Sequence, residues 1–128
     1  MIHGIGIDII QLARIRDALA RPGRRFLERI FCPAEVEHCD AQGQERVVCF
    51  AVRFAAKEAA FKAFRAAASS RDALSWHDFE VEADASGVPS LKLSGRAAAV
   101  GARLGITRIA LSLSTTTASA SAIVVAEK

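Results

Sequence analysis

The chain opens on a strict alternation. In residues 2–10 (IHGIGIDII), Ile5, Ile7 and Ile9 fall on one side of an extended strand, and Gly4, Gly6, Asp8 and Ile10 on the other. Helical spacing takes over at about 11–20 and stops at Pro22-Gly23. Phe26, Leu27, Ile30 and Phe31 predict a second short helix, and Pro33 suits the start of another over 34–39. The strongest helical pattern runs from about 44 to 67: Val47, Phe50, Phe54 and Phe61 recur at helical spacing, alanines fill the gaps, and Ser69-Ser70-Arg71-Asp72 ends it. Phe79–Glu82 and Ser90–Leu93 alternate as a hairpin around Gly87-Val88-Pro89. Ser94 is placed to cap a helix over about 95–104 that Gly105 closes. Two strands follow, Ile109–Leu113 and Ala122–Ala126, with a polar Thr/Ser/Ala turn between them. The pattern predicts an α+β fold in one domain over residues 1–128, with a largely antiparallel sheet packed on a long central helix.

Composition agrees and narrows the class. Of 128 residues 52% are hydrophobic but only 6% aromatic, so close-packed, alanine-rich helices are favoured over disorder or a coiled coil. No apolar run approaches the ~18 residues of a membrane span, and Asp8 interrupts the only apolar stretch near the N-terminus, so neither a membrane segment nor a signal peptide is expected. Cys32, Cys39 and Cys49 match no common zinc spacing and read as reduced, structural thiols of a cytoplasmic protein.

The net charge of +3 conceals a basic cluster. Arg14, Arg16, Arg21, Arg24, Arg25 and Arg29 face only Asp17 and Glu28 within residues 12–29, which makes that segment +4 and the rest of the chain −1. Such a patch meets phosphates, nucleic acid or an acidic protein. With Phe26 as its sole aromatic, stacking on nucleic-acid bases has little support.

Two carboxylates stand where apolar residues are expected. Asp8 lies mid-strand among isoleucines, on the glycine face, where Gly4 and Gly6 leave room for a close-approaching ligand. The other reading is an Asp on an edge strand, facing solvent or capping the next helix. Glu58 falls on the stripe 50, 54, 58, 61, with Lys57 and Lys62 beside it; otherwise it is half of an ordinary Glu–Lys helix pair. If the first strand packs on this helix, Asp8 and Glu58 meet and suit Mg²⁺, with Arg53, Lys57 and Lys62 available to substrate phosphates. His3, His38 and His77 match no ligand spacing, and Trp76 reads as core or rim packing.

The segments Gly4-Ile5-Gly6-Ile7-Asp8-Ile9 with Arg14-Ile15, then Arg53-Phe54-Ala55-Ala56-Lys57-Glu58-Ala59 and Lys62-Ala63, resemble the holo-acyl-carrier-protein synthase group of 4′-phosphopantetheinyl transferases. Phe26-x-x-Arg29-Ile30-Phe31, Pro33-x-Glu35, Leu74-Ser75-Trp76, Asp84-x-x-Gly87-x-Pro89 and Leu111-Ser112-Leu113-Ser114 extend the likeness in order. The resemblance implies transfer of phosphopantetheine from coenzyme A to a serine of an acyl carrier protein, of fatty acid biosynthesis or of a specialised pathway, with release of adenosine 3′,5′-bisphosphate. It also implies Mg²⁺ on Asp8 and Glu58, Lys62 at the transferred phosphate, and Glu58 as a general base. Arg53, Lys57, Lys62 and Ser114 are then expected at the coenzyme, and Arg14, Arg21, Arg24 and Arg25 at the acidic carrier. Homotrimers with interface sites are implied too. Two departures stand out. Thr115 occupies the place of a usual His, and Phe64-Arg65-Ala66-Ala67-Ala68-Ser69-Ser70 replaces a Gly-Thr-Gly turn, with Arg65 or Arg71 left to supply charge there. They motivate the alternative of a weakened or non-catalytic relative that binds carrier or coenzyme A.

Overall fold

The computed structural model describes residues 1–65 and 73–128. In chain order the elements are β1 (Ile2–Gln11), α1 (Leu12–Ala20), α2 (Arg25–Ile30), α3 (Pro33–Asp40), a 3₁₀ turn (Gly43–Glu45) and α4 (Arg46–Arg65). A second 3₁₀ turn (Trp76–Asp78), β2 (Phe79–Ala83), β3 (Pro89–Leu93), α5 (Gly95–Leu104), β4 (Arg108–Thr115) and β5 (Ser119–Glu127) complete it. The long helix thus begins as a 3₁₀ turn. Phe64 and Arg65, which open the segment in place of the Gly-Thr-Gly turn, belong to α4; the helix's expected end at 66–67, the rest of that segment, Arg71 and the Ser69–Asp72 stop lie outside the described residues.

The expected single sheet is two. One has the order β1-β5-β4, antiparallel throughout, and the other is the β2-β3 hairpin. The hairpin's free edge is occupied by a side chain: Val81 N–H donates to Glu35 Oε2 at 3.0 Å instead of to a neighbouring strand. β5 begins earlier than the pattern predicts, because Thr116 Oγ1 accepts from the N–H groups of Ala118 and Ser119 and tightens the turn. Ser94 precedes α5 without capping it; its hydroxyl donates to the His77 carbonyl at 3.3 Å.

α4 lies across β1 and β5. The sheet face beneath it pairs Gly4 with Ala126, Gly6 with Val124, Asp8 with Ala122 and Ile10 with Ala120, small residues for the most part. Opposite them, Ala55, Ala56, Ala59, Ala60 and Ala63 of α4 are fully buried. The space beside Gly4 and Gly6 is therefore not open to a ligand, as the sequence suggested. A Cβ at Gly4 would strike the Ala63 carbonyl, and one at Gly6 the Ala59 carbonyl. The glycines let helix and strand backbones touch.

The thiol expectation also needs correction. Cys39, at the end of α3, and Cys49, in the first turn of α4, form a disulfide with Cα atoms 5.4 Å apart, because the short connection folds the two helix ends together. Cys32 remains a free, buried thiol, and burial pushes its pKa up to about 11, so it is inert at neutral pH.

Candidate active site

The sequence asked whether Asp8 and Glu58 meet, and the β1–α4 contact brings them together. Asp8 points to the helix side of β1, its side chain 17% exposed, and Lys62 of α4 reaches over to it. Lys62 Nζ donates to Asp8 Oδ1 at 3.1 Å and to the Ile7 carbonyl at 2.8 Å. Glu58 lies one helical turn before Lys62 and is half-buried. Burial raises the pKa of Glu58 first, and the Asp8 carboxylate raises it further, against the lowering pull of Lys62 and Arg65. The two carboxylates are thus near enough to repel, and Lys62 and Arg65 are the cations that act against that repulsion.

That donor set fits a hard divalent cation. One or two carboxylate groups are what Mg²⁺ takes from a protein, and no cluster of three or more His, Cys, Asp or Glu side chains that could hold a metal exists among the described residues. The rest of a cation's shell would come from water or substrate phosphate.

Lys57 does not join this group. It is fully buried, its Nζ 2.6 Å from Glu35 Oε1, and it donates to the carbonyls of Phe79 at 2.6 Å and Trp76 at 3.1 Å. Arg53 is buried too: its Nη1 donates to the Cys49 carbonyl at 3.4 Å and lies 3.2 Å from Cys49 Sγ, and its buried Nε has no hydrogen-bond partner. The Arg53 side chain borders a cavity of about 170 Å³ together with Glu35, His38, Glu80 and Glu82, an acidic setting unsuited to a coenzyme phosphate. The physical reason is helical geometry. Residues 53 and 57 share one face and 58 and 62 another, about 100° away. Adjacency in sequence set Lys57 and Glu58 on different faces, and that signal was available in the spacing.

Ser114 is likewise not at the Asp8 cluster of its own chain. It pairs with Ser121, which pairs with Ile9, so it shares the outward face of Ile9 and lies two strand spacings from β1, roughly 10 Å. Thr115 is exposed at the end of β4.

The basic residues divide among three surfaces. Arg21 and Arg25 line an open cavity of about 530 Å³ with Phe26 and Arg29. Arg14 borders another of about 790 Å³, with Ile9, Gln11 and Arg16. Arg24 instead pairs with Asp40 at 2.8 Å, and Asp40 also holds Arg46 at 2.8 Å. These two guanidinium groups hold the Asp40 carboxyl below its usual range.

The phenylalanine stripe that carries Glu58 was legible in the sequence, but its extension by Trp76 and Phe26 was not. Phe54 and Phe61 flank Glu58, and the Trp76 indole lies across both, 5.5 Å from Phe54 in a stacked arrangement and 5.0 Å from Phe61. Phe26 extends the row, 6.2 Å from Phe54. His77 acts structurally: its Nε2 meets the Glu28 carbonyl at 2.7 Å and ties the Trp76 turn to α2.

A model of the 4′-phosphopantetheinyl transferase superfamily matches residues 4–118. A holo-[acyl-carrier-protein] synthase of Koribacter versatilis is 45% identical over 127 residues, 99% of each chain, and one of Geobacter sulfurreducens is 42% identical over 129 residues, covering 100% of this chain and 99% of the other. Among solved structures, the holo-[acyl-carrier-protein] synthase of Neisseria meningitidis superimposes over all of both chains with a TM-score of 0.87 and 37% identity. That of Helicobacter pylori, in complex with coenzyme A, gives a TM-score of 0.79 and 30% identity over 96% of this chain and 99% of the other.

Proposed function

The chain belongs to the 4′-phosphopantetheinyl transferase superfamily, and from that premise we propose how its residues serve the reaction. It is a phosphopantetheinyl transferase that moves the 4′-phosphopantetheine arm of coenzyme A onto a serine of an apo acyl carrier protein. The observation that carries the assignment of residues is the convergence of Asp8, Glu58 and Lys62 where β1 crosses α4.

In this reading the serine oxygen forms a bond to the phosphorus that carries the pantetheine arm. The bond from that phosphorus to the bridging oxygen of the pyrophosphate breaks, and adenosine 3′,5′-bisphosphate leaves with the electron pair. Glu58, whose pKa is raised by burial and by the Asp8 carboxylate, accepts the serine proton. Lys62 Nζ, half-exposed and already at the reacting edge, offsets charge on the phosphate. Asp8 and Glu58 would hold Mg²⁺, which as a Lewis acid lowers the cost of charge on the transferring phosphoryl group.

The partner in transfer is acidic. Arg14, Arg21 and Arg25, exposed around the cavities beside α1 and α2, are offered to it, and Arg24 joins them only as the exposed half of its pair with Asp40. Ile5, Ile7 and Ile9 stand 56%, 63% and 70% exposed along β1, with Ile123 beside them on β5 at 39%. A stripe of that kind supports burial against further copies of the chain, and a homotrimer in which the outward-facing Ser114 reaches a neighbour's site is the assembly we propose. No helix among the described residues is long and apolar enough to cross a membrane.

The test is incubation with coenzyme A, Mg²⁺ and several apo carriers, followed by mass spectrometry of the carriers. The native chain should add one phosphopantetheine, chelation should stop the addition, and Asp8→Ala and Glu58→Ala should abolish it while circular dichroism stays native. Transfer retained by both variants would overturn the site assignment. Carrier or coenzyme binding without any mass gain by the native chain would favour a non-catalytic relative, the reading that Thr115 motivates.

A further inference from the structure

The ammonium group of Lys57 has three protons and three partners: Glu35 Oε1, the Trp76 carbonyl and the Phe79 carbonyl. Glu35 is as fully engaged, for its Oε1 also accepts from the Cys32 N–H at 2.8 Å and its Oε2 from Val81. The Phe31 ring lies 5.8 Å from the ammonium. A buried ion pair is weak evidence of stabilisation, since its desolvation offsets most of its attraction. What it supplies is a fixed geometry.

That geometry ends beside the reacting groups. Lys57 is the residue before Glu58, in the same turn of α4. The main-chain carbonyl it holds belongs to Trp76, whose indole covers Phe54 and Phe61, on either side of Glu58. His77 and the Ser75–Asp78 capping pair tie the same turn to α2 and to itself, so Lys57 is its polar tie to the helix that bears the acid. We propose that Lys57, through its buried pair with Glu35, is a positioning residue for phosphopantetheinyl transfer: it pins the Trp76 turn to α4 and keeps the aromatic wall closed around Glu58. The proposal rests on the placement of Glu58 at the reacting centre given above. A loosened wall leaves substrate binding through phosphates largely in place but blurs the alignment of serine, phosphorus and base, and misplacements of about 1 Å near a reacting centre cost up to ~10²-fold in rate.

Lysine removed alone would leave Glu35 buried and unpaired, so the informative variant is the charge-balanced pair Lys57→Met with Glu35→Gln. Trp76 is the only tryptophan in the chain, so its fluorescence reports on the wall directly. The expected result is an emission shifted to longer wavelength and a kcat lower by about tenfold or more, with the KM for coenzyme A changed by less than about threefold. Trp76→Ala, which leaves the ion pair in place, should lower kcat in the same way. A double variant that is less resistant to urea but keeps native emission and native kcat would reduce Lys57 to a structural role and overturn the proposal. If the double variant does not fold, Trp76→Ala with native kcat overturns it equally. Absence of transfer by the native chain assayed in parallel would instead count against the proposed activity.

Discussion

Glu58 sits in surroundings that oppose its charge. Burial and the neighbouring Asp8 carboxylate both raise its pKa in the folded state. A carboxyl with a folded-state pKa above its unfolded value contributes stability that is present below the unfolded pKa, about 4.3, and is lost as pH rises through the folded value. In the presence of a chelator, Glu58→Gln should therefore resist urea better than the native chain at pH 7 to 8. The advantage should vanish near pH 4, where the native carboxyl is protonated; equal urea midpoints at neutral pH would show that burial and the Asp8 carboxylate together do not oppose the Glu58 charge. Asp8 and Glu58 were both legible as carboxylates out of place. Lys57 was misassigned because proximity in sequence was taken for proximity in space, although a single step along a helix turns a side chain by about 100°.

At the scale of elements, the site depends on how closely β1 and α4 approach. The approach is set by what is missing, the Cβ atoms of Gly4 and Gly6, facing the Ala63 and Ala59 carbonyls. Gly6→Ala forces either the strand or the helix backbone to move. Overpacking typically costs about 1–3 kcal/mol, and with rigid backbone as the obstacle the upper end is expected. A clear fall in thermal midpoint and a loss of transfer should appear together, because the displaced strand carries Asp8 away from Glu58; a variant with native midpoint and native transfer would contradict the packing. The alternation in β1 identified which residues share a face. It could not say that the glycine face holds a helix and the isoleucine face solvent, since alternation is symmetric about the strand.

For the whole molecule, the exposed Ile5, Ile7 and Ile9 on an edge strand are the feature a lone chain leaves unresolved. Replacing Ile7 and Ile9 with Glu places charge on that stripe without touching the buried face of β1. Sedimentation equilibrium should show a trimer for the native chain and a monomer for Ile7→Glu with Ile9→Glu, with transfer reduced in the monomer. A native chain that is monomeric and fully active would refute the assembly and leave Ser114 without a role in transfer.

The sequence by itself determined the elements, the residues sharing each face and the kinship of the chain, because these depend on local periodicity and on motifs contiguous in the chain. Tertiary structure alone decided the rest. It packed α4 over β1 so that Asp8, Glu58 and Lys62 converge, turned Lys57 and Arg53 toward the β2–β3 hairpin, set Glu35 against that hairpin's outer edge, and joined Cys39 to Cys49. Each of these outcomes is a distance between residues far apart in the chain or a choice between opposite faces, and such distances are set by the packing of backbones that local pattern does not contain.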